Sequence, residues 1–359
     1  MKVLHVVGAR PNFMKVAPVL QALATRAGVV QVLIHTGQHY DRSMSDIFLD
    51  QLGIPEPDVN LAVGSGTHAR QTAEIMTRLE PVLTEQKPEL VVVYGDVNST
   101  LAASLVAAKL GIRIGHVEAG LRSFDRTMPE EINRLLTDQL ADVLFTPSAD
   151  GDANLRKEGI PPEKIFLTGN VMIDSLVRLL PAARALPANG WPERYALVTL
   201  HRPANVDDDG ALKEILSALI EVNDQLNVVF PAHPRTRRRI AELGLNTKSL
   251  RVLDPVPYLE FLALQSRATV VITDSGGIQE ETTYLGVPCL TVRNNTERPV
   301  TVTMGTNVLV GRGPERLRTE LSLVFSGKAK RGTVPPLWDG RAAERIADII
   351  VGQFSNPVC

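Results

Sequence analysis

Three carboxylates, Asp96, Glu118 and Glu130, stand where proton chemistry could use them. Asp96 follows the apolar run Leu90–Tyr94, and Glu118 follows the run Ile112–Val117. Both therefore end successive strands of one strand–helix–strand unit, and Glu130 opens the next helix. Grouped carboxylates resist joint ionisation and raise one another's pKa, which suits acid/base work near neutral pH. A plainer use of the same residues is helix capping, by Asp96 before Ser99–Leu110 and by Glu130 in its own first turn. Around them, residues 115–134 hold four acids and three arginines, more charge than a connecting loop needs. Within that stretch Glu131 reads as a solvated helix residue or a salt-bridge partner of Arg134, and Arg134 and Asp125 as scaffold or solvent-facing residues.

A second set of residues suits an anion. Asp274-Ser275-Gly276-Gly277-Ile278-Gln279-Glu280-Glu281 follows a strand and opens a helix. Two glycines allow close approach of backbone to a ligand, and first-turn N–H groups attract phosphate. Ser275 adds a hydroxyl donor, and Glu281 could accept from ribose hydroxyls. Arg10 and Lys15 flank the first strand-to-helix turn and form a cationic pair for a diphosphate. His201 and His233 end strands in the second half and could donate to phosphate oxygen. The chain has neither a dinucleotide glycine fingerprint nor a P-loop, which disfavours NAD and ATP. No His/Cys/carboxylate spacing supports a metal site, and no cofactor is expected.

The elements that must position these groups alternate regularly between strand and helix, the pattern of parallel sheets wrapped by helices. A length of 359 residues suits two such domains. The expectation is an α/β protein with two Rossmann-like, doubly wound domains around a cleft, covering residues 1–170 and 171–340. The segment Pro181–Pro192 reads as a link, Phe13–Ala27 and Ser43–Leu52 as helices. Ligands of open parallel sheets bind at the carboxyl ends of the strands. The residues there are Arg10, Gln38, Asp96, Glu118, His201, His233, Ser275 and Arg293, nearly all polar. A net charge of −2 argues against nucleic-acid or membrane-surface partners. Two cysteines, Cys289 and Cys359, allow no disulfide framework, which fits a reducing cytosol. No apolar run approaches the roughly 18–20 residues of a membrane span.

Taken together, these motifs resemble the non-hydrolysing UDP-N-acetylglucosamine 2-epimerase family, over essentially the whole chain. The segments that carry the resemblance are Gly8-Ala9-Arg10-Pro11 with Lys15, Thr36-Gly37-Gln38-His39, Tyr94-Gly95-Asp96, His116-Val117-Glu118-Ala119-Gly120-Leu121-Arg122, Pro129-Glu130-Glu131-Ile132-Asn133-Arg134, the Asp274–Glu281 turn and Thr296-Glu297-Arg298-Pro299. The resemblance implies the GT-B fold, with the last helix, 341–353, packing back on the first domain. It implies a cytoplasmic homodimer acting on a UDP-sugar, without a redox cofactor. UDP leaves C1 as the C2 proton is removed, giving a 2-acetamidoglucal, and UDP then adds back as a proton arrives on the other face.

By motif position, Asp96, Glu118 and Glu130 match the family's catalytic acids, with no reading of which removes and which delivers the proton. Arg10, Lys15 and His201 match residues around the diphosphate, His201 being counted with the catalytic set. Ser275, Gly276, Gly277 and Glu281 match UDP contacts, with His233 and Arg298 as further binding candidates. Gln38, Arg70 and Arg202 match regions that hold a second, activating substrate molecule in allosteric members. Here Tyr40-Asp41 and Pro203-Ala204 replace charged residues common in those regions. Relatives act on other N-acetylated or uronic UDP-sugars, and a hydrolysing branch releases free sugar. A GT-B glycosyltransferase and a UDP-sugar sensor rank lower.

Overall fold

The computed structural model describes residues 1–37, 51–188, 190–244, 247 and 249–354. The expected helix Ser43–Leu52 lies mainly outside them, as does Gln38. Contacts divide the chain into two units: Met1–Ser175 with Pro336–Cys359, and Leu176–Pro335. The division falls inside a helix rather than in the Pro181–Pro192 segment. Leu176, Leu180 and Ala183 of that helix pack on Leu262 and Ala263, and this burial carries the helix through Pro181.

Unit 1 contains the strands β1 (Lys2–Val7), β2 (Val30–His35), β3 (Val59–Asn60), β4 (Leu90–Tyr94), β5 (Arg113–Val117), β6 (Val143–Thr146) and β7 (Ile165–Leu167). Its helices are α1 (Arg10–Ala24), α2 (His68–Gln86), α3 (Asn98–Lys109), α4 (Pro129–Leu140) and α5 (Ala149–Lys157), with α6 (Val171–Ala185) leading into unit 2. The strands form one parallel sheet in the order β3-β2-β1-β4-β5-β6-β7. Strands covered on both faces read as continuous apolar runs, and every residue of β4 is buried.

Strand order reverses between β1 and β4, the switch point where open α/β sheets bind ligands. Asn12 ties this point together. Its amide donates to the Tyr94 carbonyl at 2.8 Å and accepts from the Gly8 and Ala9 N–H groups. That local closure, with Pro11 preset for a first helical turn, starts α1 at Arg10, three residues before the predicted Phe13.

Unit 2 contains β8 (Tyr195–Thr199), α7 (Pro203–Val206), α8 (Asp209–Asn223), β9 (Asn227–Pro231), α9 (Pro234–Glu242), β10 (Arg251–Leu253), α10 (Tyr258–Arg267), β11 (Val270–Thr273), α11 (Gly276–Leu285), β12 (Cys289–Thr291), α12 (Pro299–Thr303), β13 (Asn307–Leu309) and α13 (Pro314–Phe325). Its parallel sheet runs β10-β9-β8-β11-β12-β13, with the switch between β8 and β11.

The last helix, α14 (Ala342–Phe354), belongs to unit 1. Asp174 accepts from the Ala342 and Ala343 N–H groups, and Arg26 pairs with Asp348 at 2.7 Å. The Trp338 indole donates to the Pro147 carbonyl at 2.8 Å. Among the described residues, no helix is long and apolar enough to cross a membrane.

Candidate active site

In unit 1 the chemistry gathers at the carboxyl ends of β4 and β5. Tyr94 pairs with Val117, so Gly95-Asp96 and Glu118 leave the sheet side by side. Glu118 has φ +74°, a left-handed backbone that an L-residue adopts only at a cost of about 1–3 kcal/mol. The N–H groups of Glu118 and Ala119 both donate to the Phe145 carbonyl, which holds this turn. The Glu118 carboxylate meets the Lys15 ammonium in an ion pair, and both residues are buried. Gly95, at φ +64°, makes room for them. A Cβ there would stand 2.6 Å from Lys15 Nζ and 3.1 Å from Glu118 Oε2.

Asp96 is partly exposed and takes a charge-assisted bond from Arg134. The N-cap residue of α3 is Val97, one place beyond Asp96. Arg134 is buried and also pairs with Glu131 at 2.7 Å. Glu131 is not a solvated residue. Buried, it also accepts from the Ser123 N–H and hydroxyl and from the Phe124 N–H. Burial raises its pKa, and these donors with Arg134 outweigh that and hold it below the usual range. The expected mutual repulsion of the grouped acids is thus answered by a separate cation at each of Glu118 and Asp96. Glu130 is a partly exposed first-turn acid of α4, one turn ahead of Arg134. Arg10 is the first residue of α1, and its side chain lies outside the described part of the structure.

Beneath this pair lies a polar cluster that sequence reasoning missed. His116, fully buried in β5, has Nδ1 2.6 Å from Asp138 and Nε2 2.8 Å from the Gly95 carbonyl. Arg122 pairs with Asp138 at 2.7 Å and with Glu158 at 2.6 Å. The available signal was a histidine one residue from the end of the predicted strand Ile112–Val117, just ahead of Glu118 in the chain's most charged stretch.

In unit 2 the switch point holds a second centre. Asp274 is wholly buried and accepts from His201 Nδ1 at 2.9 Å, from the His201 and Arg202 N–H groups, and from Asn205 at 3.0 Å. Burial pushes its carboxyl up, and these partners more than reverse the shift. His201 remains half-exposed beside it. Asp274 opened the predicted turn motif yet was not among the predicted site residues. Ser275 caps α11 without a side-chain bond to its first-turn N–H groups, the arrangement that suits an anion. Gly276 is required by packing, because a Cβ would lie 2.3 Å from Arg298 Nη1. Gly277 follows it in the first turn of α11.

Arg298 is buried between Glu280, at 2.9 Å, and Glu297. Glu281 is buried one turn into α11 and accepts from the Tyr258 hydroxyl at 2.7 Å. Burial pushes its carboxyl up to about 7, against the opposing pull of Tyr258 and Gln265. His233 is the N-cap of α9, where Nδ1 accepts from the Arg235 N–H at 3.3 Å. Burial, His201 and Arg235 all lower its pKa. Arg70 is exposed on α2, beside a small hollow lined by Gly64, Ser65 and Gly66, and Arg202 precedes α7 in unit 2, 3.8 Å from Glu297. Among the described residues, no group of three or more His, Cys, Asp or Glu could hold a metal.

The family model described as UDP-N-acetylglucosamine 2-epimerase matches residues 21–351. The UDP-N-acetylglucosamine 2-epimerase of Methanocaldococcus jannaschii is 42% identical over 364 residues, covering 98% of this chain and 99% of the relative. The UDP-2,3-diacetamido-2,3-dideoxy-D-glucuronate 2-epimerase of Pseudomonas aeruginosa is 43% identical over 355 residues, with the same coverage of 98% and 99%. A crystal structure of the M. jannaschii enzyme in complex with UDP-GlcNAc and UDP superposes with a TM-score of 0.91 over 98% of this chain and 100% of that one. The lipopolysaccharide outer core galactosyltransferase WaaB, 15% identical with a TM-score of 0.58, shares the fold alone.

Proposed function

Since the chain belongs to the UDP-N-acetylglucosamine 2-epimerase family, we propose that it is an isomerase interconverting UDP-N-acetylglucosamine and UDP-N-acetylmannosamine. The observation that carries this reading is the near-complete coverage of relatives that all invert C2, although their sugars differ. In the reaction, a base takes the C2 proton while the C1–O bond breaks and its electron pair leaves with UDP. The product of this step is a 2-acetamidoglucal. UDP then adds back to C1 as an acid delivers a proton to the opposite face of C2, so protons and charge balance over the cycle.

Asp96, Glu118 and Glu130 handle the proton. Asp96 and Glu130 are the accessible members, whereas Glu118 is held against Lys15. Arg10, Lys15, His201 and the first turn of α11, with Ser275, Gly276 and Gly277, hold the diphosphate. The charge they neutralise grows as the C1–O bond breaks, which is where preorganised donors lower a barrier. Glu281 receives ribose hydroxyls, and Arg298 and His233 support the nucleotide from the second rank. The enzyme works as a cytoplasmic homodimer, and sedimentation should find twice the chain mass. In the same reading Tyr40-Asp41 and Pro203-Ala204 remove charge from the regions of Gln38, Arg70 and Arg202 that hold an activating substrate molecule in allosteric members. Sigmoidal kinetics in UDP-N-acetylglucosamine would show that activation is retained, and hyperbolic kinetics that it is lost.

The similarity to the P. aeruginosa enzyme favours a second reading of the sugar, a 2,3-diacetamido glucuronate. A panel of both UDP-sugars decides between them. The proposal expects kcat/KM at least about tenfold higher for UDP-N-acetylglucosamine, the factor that one differential contact supplies. The reverse order would move the chain to the uronate substrate, and free N-acetylmannosamine plus UDP would assign it to the hydrolysing branch.

A further inference from the structure

A neutral imidazole carries one donor and one acceptor, and the surroundings of His116 offer it only acceptors. The Gly95 carbonyl opposite Nε2 cannot donate. Asp138, opposite Nδ1, uses its other oxygen to accept from Arg122 and from the Gly120 N–H at 3.1 Å. Burial alone would favour a protonated Asp138, but the Arg122 guanidinium and the Gly120 N–H both donate to that oxygen and favour the ionised form. Both ring nitrogens therefore donate, and the ring is an imidazolium. The cluster balances, with His116 and Arg122 facing Asp138 and Glu158.

The grip on Gly95 has a purpose when the neighbouring carbonyls are considered. The Tyr94 carbonyl accepts from Asn12 Nδ2 and Thr100 Oγ1, each at 2.8 Å. The Asp96 carbonyl accepts from Asn133 Nδ2 at 2.9 Å. Three consecutive carbonyls are thus held by side chains from α1, α3, β5 and α4, in a turn whose middle residue is left-handed. A chain segment with its backbone fixed at every step presents its side chain in one place. Of these bonds, only the one from His116 is made by a charged donor, the stronger kind.

We propose that His116, as an imidazolium clamped between Asp138 and the Gly95 carbonyl, is a positioning residue that sets the Gly95–Asp96 turn and so helps to aim the Asp96 carboxylate. This rests on the assignment of Asp96 to proton transfer. The test uses the full-length enzyme with UDP-N-acetylglucosamine, in the variants His116→Gln and Asp138→Asn. The second keeps the shape of the cluster while removing the charge that keeps the ring doubly protonated.

Each variant should lose about 100-fold in kcat, the scale of a 1 Å misplacement, with KM within about threefold because no binding group is touched. Nitrogen-15 NMR of the wild-type histidine rings should show both His116 nitrogens protonated at neutral pH, and thermal melts report whether each variant folds. Wild-type kcat in a folded variant of either kind overturns the proposal, as does an unprotonated His116 nitrogen in the wild type. Asp96→Asn, run alongside, separates the two claims. Unimpaired Asp96→Asn defeats the role of Asp96 itself, whereas an inactive Asp96→Asn with active His116 and Asp138 variants defeats only the positioning.

Discussion

Lys15 and Glu118 are 103 residues apart in sequence and meet as an ion pair with side chains only 6% and 4% exposed. Breaking such a pair leaves one charge buried without its partner, which costs about 3 kcal/mol, whereas removing both charges costs far less. Lys15→Met should therefore lower stability by about that amount in urea denaturation. Lys15→Met with Glu118→Gln should recover most of it. Additive losses in this cycle would mean that the two groups do not interact.

Gly95→Ala and Gly28→Ala form a matched comparison. Both glycines have positive φ, +64° and +76°, but a Cβ at Gly28 meets nothing within 4 Å while one at Gly95 meets the Lys15 ammonium. Gly28→Ala should cost about 1 kcal/mol from backbone strain alone. Gly95→Ala should cost more and also abolish turnover, since it pushes Lys15 off Glu118. Equal losses in thermal melts and activity would refute the packing argument.

Glu281 gives a pH signature with a definite sign. Its folded pKa, pushed up to about 7 by burial, lies above the ordinary 4.5. Its stabilising contribution is complete below pH 4.5 and is lost as pH rises through about 7. Glu281→Gln removes the titration and keeps an acceptor for Tyr258. The variant should gain on the wild type by about 3 kcal/mol between pH 4.5 and 8. A constant difference across denaturation curves in that window would show that Glu281 does not titrate there.

Asp274 has the opposite sign. Its partners hold it below the ordinary carboxylate value, so its contribution is present above pH 3.8 and disappears as pH falls through the lower folded pKa. Asp274→Asn also loosens the ring of His201. UDP affinity, measured by calorimetry, should fall about tenfold, the loss expected for one weakened charge-assisted bond. Unchanged affinity would detach the Asp274–His201 pair from nucleotide binding.

How far the chain could be read in advance depended on the range of the interactions involved. Both parallel sheets were legible because buried strands such as Leu90–Tyr94 are continuous apolar runs ending in glycine or a polar residue. The strand-end rule brought Asp96, Glu118, His201 and Ser275 forward for the same reason. Local signals misled where packing overrode them. Pro181 suggested a link but lies within α6, and Pro11 moved the start of α1 forward to Arg10. Glu131 read as a solvated helix acid or a partner of Arg134; the Arg134 pair is present, and only the fold shows the same carboxylate receiving the 123–124 turn. His116 and Asp138, 22 residues apart, and His201 and Asp274, 73 apart, have partners that no local pattern reveals.

The central claim is that this protein inverts C2 of a UDP-sugar through loss of a proton. The most direct measurement is proton NMR of UDP-N-acetylglucosamine incubated with the enzyme in D2O. The account predicts deuterium at C2 of both epimers, growth of UDP-N-acetylmannosamine to equilibrium, and UDP still attached to the sugar. An unexchanged C2 proton in recovered substrate and product would contradict it.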